Sequence, residues 1–213
     1  MIRVHIFTFN PFAENTLILY DNSGECVIID AGCYELPENN EIRNFITNHK
    51  LNPVRLLNTH CHIDHVLGNR FISKEYGLIS EIHKNDLPVL NSTVSVALMW
   101  NIPHVDEPPP PGKYFSNGDI INFGTSELEV RFSPGHSPGH VVFVSHEGKF
   151  VIAGDVLFNM SIGRTDLPGG DYDTLIRSIK EKIFPLSDDF TVYPGHGPAT
   201  TIGFEKKHNP FLQ

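Results

Sequence analysis

The chain has 213 residues, 40% of them hydrophobic and 19% charged, which is enough for a buried core and ordinary for a globular protein. It has no apolar run long enough to cross a membrane, and its net charge of −9 argues against nucleic acid as the main partner. Three cysteines suggest no disulfide framework and MIRVHIFTFNPF resembles no secretory signal, so a cytoplasmic location is expected.

Strands and helices alternate along the first half of the chain. Strands are predicted over residues 2–9, 15–20, 25–30, 54–58 and 79–82. Helices are predicted over residues 38–49, 66–76 and 84–90. The first helix is indicated by Ile42, Phe45 and Ile46, whose spacing places them on one face toward a core.

The second half begins after residues 101–113, a segment with five prolines that predicts a loop within one domain. Strands are predicted over residues 119–123, 127–133, 140–145, 149–153 and 190–193. A helix over 171–183 begins near Asp171 or Asp173. This order of elements predicts two sheets covered by helices.

Polar side chains follow five of the predicted apolar strands. Asp30 closes ECVIID, and the loop NTHCHIDHVLG (58–68) follows VRLLN. The segment PGHSPGH (134–140) follows ELEVRFS, Asp155 follows KFVIAG and His196 follows FTVYP. Because loops at strand ends are where such folds build their sites, these side chains are expected to share one site.

The residue types at these strand ends are those of a metal centre. Imidazole and carboxylate bind zinc well and also suit iron or manganese. On an extended segment His60 and His62 point to the same side, whereas Asp64 and His65 turn elsewhere as the chain bends into a helix. One loop can therefore supply two metal ions. The candidate ligands are His60, His62, Asp64, His65, His136, Asp155 and His196.

The motif THCHIDH (59–65), together with Asp30, PGHSPGH, GD (154–155) and GHG (195–197), resembles the metallo-β-lactamase superfamily. Within it, the chain is similar to the glyoxalase II (hydroxyacylglutathione hydrolase) branch. The resemblance implies an α/β fold, an αββα sandwich of two mixed β-sheets with helices on the outer faces. It also implies a metal-dependent hydrolase of small-molecule thioesters, with a metal-bridging hydroxide as the nucleophile.

The resemblance also assigns a role to each matching residue. One divalent metal ion would be held by His60, His62 and His136, and the other by Asp64, His65 and His196. Asp155 would bridge the two ions, which are expected to be zinc, with iron or manganese as alternatives. Asp64 and Asp155 would be catalytic, Asp30 would support the ligands without binding metal, and Arg164 would contact the substrate.

Two departures from glyoxalase II leave glutathione recognition open. Glyoxalase II enzymes have a C-terminal helical domain that helps to bind glutathione, whereas this chain ends soon after His196. Asp166 and Pro198 also fall where tyrosines are expected. We therefore expect a single hydrolase domain over residues 1–213, similar to the short relatives of that branch, with the oligomeric state open.

Three alternatives follow from the same residues. GRTD (163–166) is shared with persulfide dioxygenases, which hold one iron ion at the equivalents of His60, His136 and Asp155, but His140 stands where that branch tends to have cysteine. A zinc β-lactamase is disfavoured by Asp155 and by the absence of a signal. A metal-stapled binding module without catalysis is the third alternative. His140 itself is either a buried structural histidine or a ligand, and Cys61 is expected to face the core.

Overall fold

The computed structural model describes the whole chain, residues 1–213, and its centre is a pair of six-stranded mixed sheets. The first sheet has the order β1-β2-β3-β4-β5-β6. Its strands are β1 (Arg3–Phe9), β2 (Glu14–Tyr20), β3 (Glu25–Ile29), β4 (Asn52–Leu57), β5 (Ser80–His83) and β6 (Lys113–Phe115). The strands from β1 to β3 pair antiparallel, and those from β3 to β6 pair parallel.

The second sheet has the order β14-β13-β10-β9-β8-β7, and a two-stranded ribbon lies beside it. Its strands are β7 (Ile120–Phe123), β8 (Ser126–Phe132), β9 (Val141–Ser145), β10 (Phe150–Gly154), β13 (Thr191–Pro194) and β14 (Thr200–Thr201). The ribbon consists of β11 (Leu157–Phe158) and β12 (Ser161–Ile162). In the second sheet, only β10 and β13 pair parallel.

Seven α-helices accompany the sheets. They are α1 (Leu36–Asn48), α2 (Ile63–Val66), α3 (Asn69–Tyr76), α4 (Leu87–Asn91), α5 (Thr93–Met99), α6 (Tyr172–Ser178) and α7 (Ile202–His208). A 3₁₀ turn (Lys84–Asp86) precedes α4, and a π-helical turn (Ile179–Ile183) extends α6. None of the helices is long and apolar enough to span a bilayer.

Side-chain alternation along the strands produces the layers. In β9, Val141 and Phe143 point into the core between the sheets, whereas Val142 and Val144 point to the outer face beneath α6. The first sheet does the same, since Val27 faces the inner core and Ile28 packs beneath α1 and α3. Both faces of these strands are buried, which explains their continuous apolar runs. The expected αββα sandwich of two mixed sheets is confirmed.

The structure differs from the predicted elements at several points. The helix predicted over 66–76 is two helices, α2 and α3, separated at Gly68, where a side chain would collide with Cys33 and Ala31. Helix α5 was not predicted, because its β-branched residues have low helix propensity. Helix α7 and the short strands β6, β11, β12 and β14 were not predicted either. Of the two proposed starts of α6, Asp171 is the cap, because its carboxylate accepts from Thr174 N (2.8 Å).

Candidate metal centre

Asp30 holds the histidine loop in place through its contacts with Thr59 and His65. It follows β3 in a left-handed backbone conformation (φ 51°), which aspartate tolerates better than most residues. Its Oδ1 accepts from the Thr59 amide (2.7 Å) and its Oδ2 from the Thr59 hydroxyl (2.6 Å). The same Oδ2 lies 3.1 Å from His65 Nδ1. A carboxylate in this position fixes the tautomer and direction of the imidazole, so that His65 Nε2 faces the site.

One group of donors contains three histidines from two loops. The ring nitrogens of His60, His62 and His136 lie within 4.8 Å of one another. His62 Nδ1 and His136 Nε2 are only 2.8 Å apart. The other nitrogen of His136 donates to the carbonyl of Arg164 (2.7 Å), which turns Nε2 toward the other histidines.

A second group contains Asp64, His65 and His196, whose donor atoms also lie within 4.8 Å of one another. His196 Nε2 is 3.1 Å and His65 Nε2 is 3.6 Å from Asp64 Oδ2. His196 Nδ1 is directed at the carbonyls of Phe12 (3.1 Å) and Ala13 (3.2 Å), which orients Nε2 toward Asp64. The loop after β13 and the turn between β1 and β2 thus meet at this group.

Asp155 lies between the two groups. One of its oxygens is 3.4 Å from His136 Nε2 and 3.6 Å from His196 Nε2, and the other is 3.5 Å from His65 Nε2. The backbone approaches this carboxylate closely, since a side chain at Gly195 would collide with Asp155 Oδ1. The position between both groups is the one a bridging ligand requires.

The donor atoms fit divalent metal ions. His60 Nε2, His65 Nε2 and Asp155 Oδ1 are buried without a hydrogen-bond partner, which is costly for polar atoms that bind nothing. Burial lowers the pKa of His62 to about 3 and that of His136 to about 4. Both imidazoles are therefore neutral near pH 7, the form that donates a lone pair to a metal. A third close group, Asp30 with His60 and His65, shares these donors, but its Asp30 carboxylate is already occupied by Thr59.

His140 and Cys61 lie outside these two groups. His140 is fully buried, accepts from the Asp155 amide at Nε2 (3.0 Å) and stacks on His60 with ring centroids 4.7 Å apart. It therefore positions Asp155 and His60. Cys61 packs in a small core cluster with Val66, Ile82 and Leu90, as expected for a residue that faces inward.

Two buried acids near the centre were missed by the sequence analysis. Asp86 accepts from Cys61 N, Ser137 Oγ and Gly139 N, at distances of 2.7, 2.6 and 2.5 Å. It thus ties the loop of His60 and His62 to the loop of His136. Its sequence context, HKNDLP, indicated only a helix start.

The other missed acid is Glu14, in β2. Its side chain is fully buried, accepts from Thr16 Oγ1 (2.8 Å) and lies 3.8 Å from His65 Nδ1. Burial raises the pKa of Glu14 well above its ordinary value, despite the opposing effect of His65. The strand ENTLILY showed no sign of this role, because its acidic residue merely precedes an apolar run.

A cavity of about 940 Å³ is lined in part by donors of the centre, namely His62, Asp64, His136, Asp155 and His196. Arg164, the predicted substrate contact, lies on its wall. However, the guanidinium of Arg164 forms two 2.7 Å hydrogen bonds to the carboxylate of Asp166, a residue two positions along the same loop.

The chain is similar to known proteins over nearly its whole length. The family model of the metallo-beta-lactamase superfamily matches residues 10–196. The hydroxyacylglutathione hydrolase GloC of Haemophilus influenzae is 37% identical over 212 residues, covering 99% of this chain and 98% of GloC.

Two solved structures are similar over nearly the whole chain. The BLEG-1 B3 metallo-beta-lactamase has a TM-score of 0.90 and 32% identity, with 100% of both chains covered. A protein crystallised in a di-iron-bound form has a TM-score of 0.88 and 37% identity, covering 98% of this chain and 100% of its own. The family match, the sequence relatives and the fold agree, and the chain therefore belongs to the metallo-beta-lactamase superfamily of metallo-hydrolases.

Proposed function

We propose that this protein hydrolyses thioesters at a site that holds two divalent metal ions. The observation that carries the proposal is the position of Asp155 between two groups of three donors, on the wall of a substrate-sized cavity. The similarity to a hydroxyacylglutathione hydrolase over 99% of the chain supports a thioester as the substrate.

Each group of donors has a role in this proposal. His60, His62 and His136 would hold one ion, Asp64, His65 and His196 the other, and Asp155 both. When bound, the ions would polarise the thioester carbonyl and lower the pKa of a water molecule, so that it could attack the carbonyl carbon as hydroxide at neutral pH. Zinc fits the nitrogen-rich donors, and iron or manganese fits them too.

The chain's own residues prepare the reaction in three ways. Asp30 and the Arg164 carbonyl fix the orientation of His65 and His136. Asp64 and Asp155 present carboxylate oxygens to the cavity, where they can accept a hydrogen bond from the attacking water and orient it. The apolar side chains that line the cavity lower the local polarity around a bound substrate, which strengthens electrostatic interactions with it.

The direct test is hydrolysis of S-D-lactoylglutathione and of simpler thioesters by purified protein of known metal content. Turnover that disappears on chelation and returns with metal is the expected result. If the protein binds metal and cleaves no thioester, the proposal is wrong. Asp64→Ala is the matched variant, and it should abolish turnover while it keeps the circular dichroism spectrum of the wild type. A wild-type protein that binds metal but has no hydrolase activity would instead be a metal-stapled binding module.

Two other activities are distinguished by the same preparation. Similarity to the BLEG-1 lactamase over the full chain makes a β-lactam the second candidate substrate. Turnover of nitrocefin, without turnover of thioesters, would establish β-lactam hydrolysis. One iron per chain, with oxygen uptake on addition of glutathione persulfide, would indicate a persulfide dioxygenase.

A further inference from the structure

The cavity that leads to the metal centre is unusually poor in charge outside the donor residues. Of its 23 lining residues, only Arg164 carries a full charge once the histidines and aspartates of the centre are set aside. Its guanidinium is paired with the carboxylate of Asp166 through two hydrogen bonds. A substrate carboxylate would therefore compete with Asp166 for the only charged side chain of the lining outside the donors.

Part of the cavity lining is an apolar surface formed mainly by α5 and its C-terminal cap. Val96, Met99 and Trp100 follow one another at helical spacing on α5 and its C-terminal cap, so they share one face. Phe12 extends this surface, with its ring centroid 5.6 Å from that of Trp100. Phe158 lies on the cavity wall too.

Parts of this surface are exposed to solvent. Met99 is 75% and Trp100 is 40% exposed, although both are large apolar side chains. Exposed apolar surface that lines a concave site is typical of a binding site for an apolar ligand group. Glutathione presents the opposite chemistry, with two carboxylates and an ammonium group and little apolar surface.

We infer that the substrate is a thioester with a large uncharged apolar group, alkyl or aryl, which lies against Phe12, Met99 and Trp100. This inference rests on the proposed thioester hydrolysis. In the reaction, water adds its oxygen to the carbonyl carbon, the carbon–sulfur bond breaks, and the products are a carboxylic acid and a thiol. Trp100 is assigned as a specificity-determining residue that does not touch the reacting atoms.

The test measures kcat/KM of the metal-loaded protein with a matched set of thioesters. Octanoyl and acetyl thioesters of N-acetylcysteamine differ only in the acyl chain, and the acetyl thioester of benzyl mercaptan places the apolar group on the thiol instead. At least one apolar substrate should exceed acetyl-N-acetylcysteamine by about 100-fold, which corresponds to roughly tenfold for each of about two well-enclosed methylenes. A preference for the octanoyl thioester would place the acyl group against the apolar surface, and a preference for the benzyl mercaptan thioester would place the thiol group there.

Trp100→Ala should reduce this preference by about tenfold or more. Tyr114→Ala is the matched control, because Tyr114 is 49% exposed on β6 and lies outside the cavity, and it should keep the wild-type preference. Equal rates with all uncharged thioesters, a preference for S-D-lactoylglutathione, or an unchanged preference in Trp100→Ala would overturn the inference while leaving thioester hydrolysis intact. Absence of turnover with every thioester would refute the proposed function itself.

Discussion

Asp86 is the residue whose replacement tests most sharply how the metal centre is assembled. It binds no donor atom of the centre, yet its carboxylate joins Cys61, between His60 and His62, to Ser137 and Gly139, which follow His136. Removing the carboxylate should therefore weaken the fold and loosen both ligand loops together.

The magnitude follows from the three hydrogen bonds. Asp86→Ala leaves two backbone amides and one hydroxyl without their acceptor, at a buried position where each unsatisfied group costs about 1–3 kcal/mol. Relief of the desolvation that raises the pKa of Asp86 offsets part of this loss. We expect a net destabilisation of about 3–5 kcal/mol, in the lower part of the sum for three unsatisfied buried groups. Metal affinity should fall about 10–100-fold, as for other residues that orient ligands.

The assay is equilibrium unfolding in urea, followed by circular dichroism, together with metal titration of the folded protein. Asp86→Asn should fall between wild type and Asp86→Ala, because an amide oxygen can still serve Ser137 and Gly139 while its NH₂ group opposes the Cys61 amide. Asp173→Ala, at an exposed position, is the control and should lie within about 0.5 kcal/mol of wild type. An Asp86→Ala protein with wild-type stability and metal affinity would refute the reasoning.

Three further predictions concern the framework. Gly135→Ala should lower the free energy of unfolding in urea by more than about 2 kcal/mol, because a β-carbon would collide with the backbone of Leu175. Gly77→Ala is the control and should cost about 1 kcal/mol, because a β-carbon at Gly77 would meet no other atom. Equal losses of stability in the two variants would contradict this. No thiol should react with Ellman's reagent before the protein unfolds, since all three cysteines are buried and burial raises the pKa of Cys26 to about 12. Rapid labelling of the native protein would contradict this prediction. Although burial alone would raise it, hydrogen bonds from neighbouring residues hold the pKa of Asp21 below the usual range. Its contribution to stability is therefore present above about pH 4, the unfolded pKa, and is lost as the pH falls toward the folded pKa. The difference in unfolding free energy between wild type and Asp21→Asn should stay constant from pH 8 to 5 and shrink below pH 4, and a difference that does not respond to acid would be inconsistent with this.

The close grouping of the donors could be predicted because it depends on a local pattern. The donors lie in loops that follow apolar strands, and strand ends in such sheets meet at one edge, so a shared site could be expected from the order of strands. The division of the donors into two groups followed instead from the resemblance to the family, and the structure forms the same two groups of three.

The supporting residues could not be predicted in the same way. Asp86 lies 25 residues from Cys61 and 53 from Gly139, and Glu14 approaches His65 only through the packing of β2 against the histidine loop. Their sequence contexts match a helix start and a strand start. The burial of these two acids results from long-range packing, which no local sequence pattern predicts. The helix α5 was also not predicted, since three of its seven residues are β-branched and have low helix propensity.

The central claim is that one chain holds two divalent metal ions, with Asp155 between them. Metal analysis by mass spectrometry of protein purified without added metal tests this most directly, with His136→Ala and His196→Ala as partners that each weaken one group of donors. The account predicts about two ions per wild-type chain and about one in each variant. One ion or none in the wild-type chain, unchanged when either histidine is replaced, would contradict it.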